Sequence, residues 1–254
     1  GGAGPGMRVL DLCAAPGGKT GQLAACMGNA GLLIANEPVP GRANVLLHNL
    51  ERLGVGNAVV TSAKPEALAV ALPAFFDLVL ADAPCSGEGM FRKEPAALRD
   101  WSVQTVQACA LRQRGVLLSA AAMVRPGGKL VYSTCTFSTE EDEDTVAAFL
   151  LERPDFSLVA TDKIYPHTGP GEGQFMALLQ RDGEANAPLR VPAALPEAKA
   201  AGENKRAFSA FWMDNLTLPP PENAVFLPDG RVLLPPENAP ALPGIRVLRA
   251  GLLA

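Results

Sequence analysis

Short apolar runs alternate with longer amphipathic segments along the first two thirds of the chain. Residues 7–12, 32–35, 58–61, 77–81 and 129–133 read as buried strands, and residues 18–27, 41–53, 103–124 and 139–151 read as helices. Such alternation predicts a parallel sheet with helices on both faces. Beyond Pro154, residues 157–160 and 174–179 add two edge strands. Helix punctuation agrees: Ser138-Thr139-Glu140-Glu141 offers a cap with acids in the first turn, and Arg125-Pro126-Gly127-Gly128 stops the long helix. The text changes near residue 183. Eleven of the 23 prolines fall in the last seventy residues, which argues against long helices or central strands there. Residues 183–207 read as an Ala/Pro/Glu-rich linker, and residues 208–254 as short strands and turns.

With 254 residues, 48% of them hydrophobic, and a mean hydropathy of +0.14, the chain can bury a substantial core without containing a membrane span. Its net charge of −4 argues against a nucleic-acid partner at first sight. Five of the acids form one run at residues 140–144, however, and setting them aside moves the balance to +1. Placed in a first helical turn, that run stabilises its helix and faces away from any phosphate. The cysteines at 13, 26, 85, 109 and 135 include no C-x-x-C pair, which fits reduced thiols in a cytoplasmic protein; a monomer is expected. Cys13, Cys26 and Cys109 read as small buried hydrophobes. His48 and His167 are isolated, and no spacing suggests a metal site. The opening Gly-Gly-Ala-Gly without Met reads as a fragment of a longer chain.

Two regions carry chemistry. Val9-Leu10-Asp11-Leu12-Cys13-Ala14-Ala15-Pro16-Gly17-Gly18-Lys19-Thr20 is a strand, a glycine turn and a helix start, where backbone N–H groups can approach a ligand. A P-loop would need glycine at Cys13, and G-x-G-x-x-G is absent. S-adenosylmethionine is a third option, its amino-acid end seated on the loop from Ala14 to Lys19. Glu37 lies twenty residues past Gly17 at the end of the next strand, where an acid accepts ribose hydroxyls; Arg42 is a further cofactor-binding candidate. The second region is a pair of strand ends: residues 77–81 run into Asp82-Ala83-Pro84-Cys85-Ser86-Gly87, and residues 129–133 run into Thr134-Cys135-Thr136. If these strands are neighbours, about 4.8 Å apart, both thiols share one pocket at the carboxyl edge of the sheet.

The segment from Asp11 to Thr20, the segment from Asp82 to Gly87, and Ser133-Thr134-Cys135-Thr136 together resemble the Sun-type RNA cytosine-C5 methyltransferases, over roughly residues 7–180. Glu88-Gly89-Met90-Phe91-Arg92-Lys93 further resembles the bacterial RsmF/YebU branch, which modifies ribosomal RNA. The resemblance implies a Rossmann-like class I methyltransferase sheet over residues 1–182, a linker over 183–207, and the incomplete start of a C-terminal RNA-binding-type domain over 208–254. It also implies S-adenosylmethionine as cofactor and RNA, with no membrane, as partner.

Cytosine C5 is a poor nucleophile until a thiolate adds to C6. The resemblance assigns that role to Cys135 and product release to Cys85. DNA cytosine methyltransferases instead draw their nucleophile from a Pro-Cys motif, here Cys85, and a non-catalytic RNA-binding assembly factor is a further alternative. Asp82 could accept from the cytosine amino group and so reject uracil, with Lys19 neutralising the pocket or holding Asp82. The target base must be unstacked. Arg92 and Lys93 lie where flanking phosphates would pass; Arg99, Arg112 and Arg114 are either further contacts or solvated surface, and Trp101 could stack on a base but reads first as a core anchor. One departure stands out: after the third strand the family usually offers an acid for the adenine amine, where this chain has Thr61-Ser62-Ala63-Lys64-Pro65-Glu66.

Overall fold

The computed structural model describes residues 2–169, 171–184, 202–217, 219–227 and 230–253. Five parallel strands form its centre: β1 (Arg8–Asp11), β2 (Leu32–Asn36), β3 (Ala58–Ser62), β4 (Phe76–Asp82) and β5 (Val124–Thr134). Between them run α1 (Gly18–Met27), α2 (Pro40–Arg52), α3 (Pro65–Ala71), α4 (Pro95–Asp100) and α5 (Val103–Met123). Then follow α6 (Glu143–Glu152), β6 (Phe156–Ile164), β7 (Gln174–Arg181), α7 (Gly202–Asn215), β8 (Val225–Phe226), β9 (Val232–Leu234), β10 (Arg246–Ala250) and β11 (Leu252–Leu253). The eight-stranded sheet has the order β10-β3-β2-β1-β4-β5-β7-β6, with β7 antiparallel to β5 and β10 antiparallel to β3. Strands β11, β9 and β8 make a second, small sheet. No helix among the described residues is long and apolar enough to cross a membrane.

The central strands read as continuous apolar runs because both their faces are covered. Successive residues point to opposite sides. Val9, Leu33, Val60 and Leu78 pack with Ala24 and Met27 of α1 and Leu46 and Leu50 of α2. Leu10, Ile34, Val59 and Val79 pack instead with Leu68 of α3, Leu117 of α5 and Phe149 of α6. Proline opens α2, α3 and α4, where its missing N–H has no helical partner to lose. Ser102 caps α5 by accepting the Thr105 N–H at 3.0 Å.

Three expectations need correction. The helix after Cys135 starts at Glu143, not at residue 139. Residues 139–142 instead form a turn in which the Asp142 N–H reaches Ser138 O and Thr139 O, at 3.1 and 3.3 Å. Glu141 and Asp142 are fully buried, so the acidic run is not a solvated first turn. Second, α7 is a long helix in the proline-rich part; it occupies a stretch, residues 197–218, that has no proline. Of the expected linker 183–207, residues 185–201 lie outside the described residues and residues 202–207 begin α7. Third, β10 does not stay with the C-terminal strands but pairs onto the edge of the central sheet. Helices α3 and α4, of seven and six residues, are too short to show a helical period.

Candidate active site

In a sheet ordered 3-2-1-4-5 the connections leave β1 toward opposite sides, which opens a crevice at the carboxyl ends of the strands. A cleft of about 870 Å³ lies there, running from Glu37 and Arg42 past Asp82 and Cys85 to Cys135.

Asn36 ties the floor of this cleft together. Buried at the end of β2, it donates to Leu12 O and Ala63 O, each at 3.0 Å, and accepts from the Thr61 hydroxyl at 2.9 Å. The glycine loop is held from α2: Arg42 Nη2 donates to Ala15 O at 3.0 Å, and Asn49 Nδ2 to Pro16 O at 2.8 Å. Gly17 turns the chain into α1 with φ 111°, and a Cβ there would also meet Leu46 Cδ1 at 3.1 Å. Cys13 and Ala15 line the cleft, whereas Ala14, Pro16, Gly17 and Gly18 shape the loop without lining it. Beneath them Asp11 is fully buried and accepts from the Thr20 hydroxyl at 2.7 Å. Burial raises the Asp11 carboxyl to about 7, with the Thr20 bond acting against the rise.

Glu37 is buried and fixes the entry to α2 by accepting the Val39 N–H at 2.9 Å. Its other oxygen, Oε2, has no hydrogen-bond donor and lies 3.5 Å from Arg42 Nη1. A buried carboxylate oxygen left in that state at a cleft wall is a ready acceptor for a ligand hydroxyl. Lys64, Pro65 and Glu66 line the same end of the cleft, while Ser62 is taken up in the β3 pairing with Arg246.

At the other end, the pairing of β4 with β5 brings the two thiols together, Cys85 Sγ and Cys135 Sγ being 3.2 Å apart. The hydrogen bond between them drives their titrations apart. Donation from Cys85 lowers Cys135 below the ordinary thiol value, against the effect of burial, and the same bond with burial pushes Cys85 well up. Of the two, Cys135 is the thiol that ionises more readily. Asp82 sits beside them, accepting from Lys19 Nζ at 2.7 Å and from the Ser133 hydroxyl at 2.6 Å, so the expected Lys19–Asp82 contact is present. Gln174 Nε2 steadies the same strand end through Thr134 O at 2.8 Å.

Glu141, Gln113 and Lys163 carry no motif from which their contacts could be read in the sequence. The Glu141 carboxylate accepts the Ser86 N–H at 3.0 Å and Gln113 Nε2 at 2.7 Å. Asp142 accepts from the Thr134 hydroxyl and pairs with Lys163 Nζ at 3.0 Å; burial raises its carboxyl to about 6. Glu88 accepts the Phe137 N–H at 2.8 Å and the Trp101 indole N–H at 3.1 Å. Trp101 is thus a half-exposed partner of the loop and not a core anchor. Arg92 and Lys93 are exposed and share Glu172, at 2.7 and 3.8 Å. Arg112 lines the cleft, whereas exposed Arg99 and Arg114 do not. Cys13 and Cys109 are buried as expected; Cys26 is exposed, because Ala24 and Met27 take the inner face of α1.

Comparison with known proteins identifies a family. A profile of the family described as 16S rRNA methyltransferase RsmB/F matches residues 4–181. Ribosomal RNA small subunit methyltransferase F of Erwinia tasmaniensis is 43% identical over 191 residues, covering 68% of this chain and 40% of that protein. Its namesake from Salmonella paratyphi A is 38% identical over 252 residues, covering 87% of this chain and 52% of that protein. The chain thus spans about half the length, or less, of these curated relatives. Among solved structures, NSun6 from Pyrococcus horikoshii with SFG superposes with a TM-score of 0.63 at 29% identity, over 71% of this chain and 49% of that one.

Proposed function

Because the chain belongs to the 16S rRNA methyltransferase RsmB/F family, we propose that it carries the catalytic part of an S-adenosylmethionine-dependent enzyme that methylates C5 of a cytosine in ribosomal RNA. A ribosomal RNA substrate fits a cytoplasmic setting. The observation that carries the reading is the thiol pair at 3.2 Å beside Asp82, on adjacent strand ends facing one cleft.

The cofactor fits the far end of that cleft. Glu37 Oε2, buried and without a donor, suits a ribose hydroxyl, and the loop of Ala14 to Gly18 suits the amino-acid end, with Lys64 and Glu66 beside the base. When bound, S-adenosylmethionine supplies an electrophilic methyl group on a sulfonium. The protein supplies the rest. Cys135 as thiolate adds to C6 of an unstacked cytosine, which turns C5 into an enamine-like carbon. Asp82, oriented by Lys19 and Ser133, accepts from the cytosine amino group; uracil would present an oxygen to the same carboxylate and be rejected. After transfer, a water in the cleft takes the C5 proton, the electron pair of that bond restores the C5–C6 double bond, and the C6–S bond breaks with its electrons on Cys135, whose leaving thiolate accepts a hydrogen bond from the Cys85 thiol. Cys85, touching Cys135, assists this elimination. The lowered Cys135 thiol and raised Cys85 thiol favour these roles over the reverse assignment of the DNA enzymes. Arg92 and Lys93 serve flanking phosphates.

Replacing each cysteine in the full-length protein, with small-subunit RNA and labelled cofactor, tests the assignment. Cys135→Ala should abolish methyl transfer and form no adduct, and Cys85→Ala should accumulate a covalent protein–RNA species on denaturing gels. An active Cys135→Ala protein would overturn the reading.

A further inference from the structure

Glu141 is fully buried and touches neither thiol, yet it links the two segments that carry them. Its carboxylate accepts the Ser86 N–H at 3.0 Å and Gln113 Nε2 at 2.7 Å. Gln113 Nε2 also donates to Pro84 O at 2.9 Å. Both neighbours of Cys85 are thereby tied to one carboxylate. On the other side, the Glu141 carbonyl accepts the hydroxyl of buried Tyr132 at 2.7 Å, three residues before Cys135 in the same strand end. Asp142 repeats the tie one residue on, through the Thr134 hydroxyl at 2.5 Å. The turn bearing Glu141 is therefore fixed to the strand of Cys135, and its side chain to the loop of Cys85.

Among the described residues no Lys or Arg pairs with the Glu141 carboxylate; N–H donors alone hold it. A buried charge in that state is a poor source of stability compared with an apolar side chain. What it adds is an acceptor that takes two donors at once, flanking one cysteine.

We propose that Glu141 is a positioning residue for product release: it holds the Cys85 loop so that the Cys85 thiol stays against Cys135. This rests on the catalytic assignment above, in which Cys85 acts only after methyl transfer. Losing the tie should leave addition at C6 and methyl transfer working and impair elimination.

The test compares the full-length wild type with Glu141→Gln, Gln113→Met, Cys85→Ala and Cys135→Ala. Glu141→Gln keeps the shape but leaves one neutral oxygen to hold both the Ser86 N–H and Gln113 Nε2, which share Oε2 in the wild type, and sets a donor where Oε1 faces the Ser86 N–H at 3.4 Å, so both ties lose their charge assistance. Gln113→Met cuts the Pro84 tether and keeps the charge, and it decides the matter if Glu141→Gln does not fold. Steady-state turnover should fall on the order of tenfold, the weight of one hydrogen bond to a charged group. Single-turnover methyl transfer should stay within about threefold, a change too small for loss of such a bond, and the trapped RNA adduct should rise toward the Cys85→Ala level. A general structural defect would lower adduct and turnover together, and that outcome overturns the inference. So does unchanged turnover without trapped adduct, with Cys85→Ala still trapping. If Cys85→Ala itself releases product normally, the catalytic reading falls and takes the inference with it.

Discussion

Gly89 lies where the segment after Cys85 crosses the strand end of Cys135, and its N–H donates to Cys135 O at 2.7 Å. A Cβ added there would stand 2.7 Å from Cys135 O, 3.0 Å from Glu172 O and 3.3 Å from Gly173 O. All three are backbone atoms, which cannot rotate aside as a side chain could. The Gly89 φ lies outside the left-handed region, so the penalty of Gly89→Ala is crowding and not backbone strain. Opening the contact forfeits a hydrogen bond worth about 1 kcal/mol. Overpacking adds roughly 1–3 kcal/mol, so the protein should lose about 2–4 kcal/mol in all. Gly115, inside α5 with open space around its Cβ position, supplies the opposite case, and Gly115→Ala should gain about 0.5–1 kcal/mol. Urea unfolding of both variants measures the two signs side by side; by heat, the loss at Gly89 corresponds to roughly 4–16 °C in Tm. A Gly89→Ala protein within about 0.5 kcal/mol of wild type, the range of an ordinary surface change, would refute the reasoning.

Replacing both Arg92 and Lys93 by alanine should weaken RNA binding and reduce the salt dependence of log K by roughly 1.4, two single-strand phosphate contacts; an unchanged slope in a filter-binding titration counts against those contacts. Glu172→Gln, which frees both cations, should tighten binding in the same titration. Asp11, raised to about 7 in the folded protein, makes protonation favour folding: its contribution is full below the ordinary carboxylate value and is lost as pH rises through about 7. Asp11→Asn should therefore flatten the stability profile between about pH 4 and 7 and leave the protein more stable than wild type at about pH 8. The residual slope belongs to Asp142, and an unaltered profile sinks the argument. Finally, the thiol oxidant diamide should join Cys85 to Cys135, stopping methyl transfer until dithiothreitol is added, while Cys85→Ala resists; recovery of both thiols free after treatment would contradict their proximity.

Where local pattern suffices, the sequence and the structure agree. The central strands are apolar runs because they are buried on both faces, and Cys85 and Cys135 stand out because each follows such a run directly. Glu141 and Asp142 were not legible. After Ser138 and Thr139 they look like the solvated first turn of a helix, and only the packing of Tyr132, Thr134, Gln113 and Lys163 around them turns their carboxylates inward. Glu172 is 80 residues from Arg92, too far for any periodicity to connect them. Trp101 misled for a related reason: a large aromatic suggests a core position, but its indole N–H found Glu88 at the surface.

The antiparallel pairing of β10 with β3 bears on how the molecule is made. Arg249 Nη2 donates to Val55 O across 194 positions of chain, so this edge of the sheet closes only after β10 has followed β3 out of the ribosome. Until then β3 exposes unpaired N–H and C=O groups along an apolar strand, the kind of edge that recruits other chains. A nascent or truncated polypeptide ending before Arg246 should therefore depend on chaperones in a way that one containing β10 does not. Strand β10 acts as a late-arriving seal on the sheet that holds the active site.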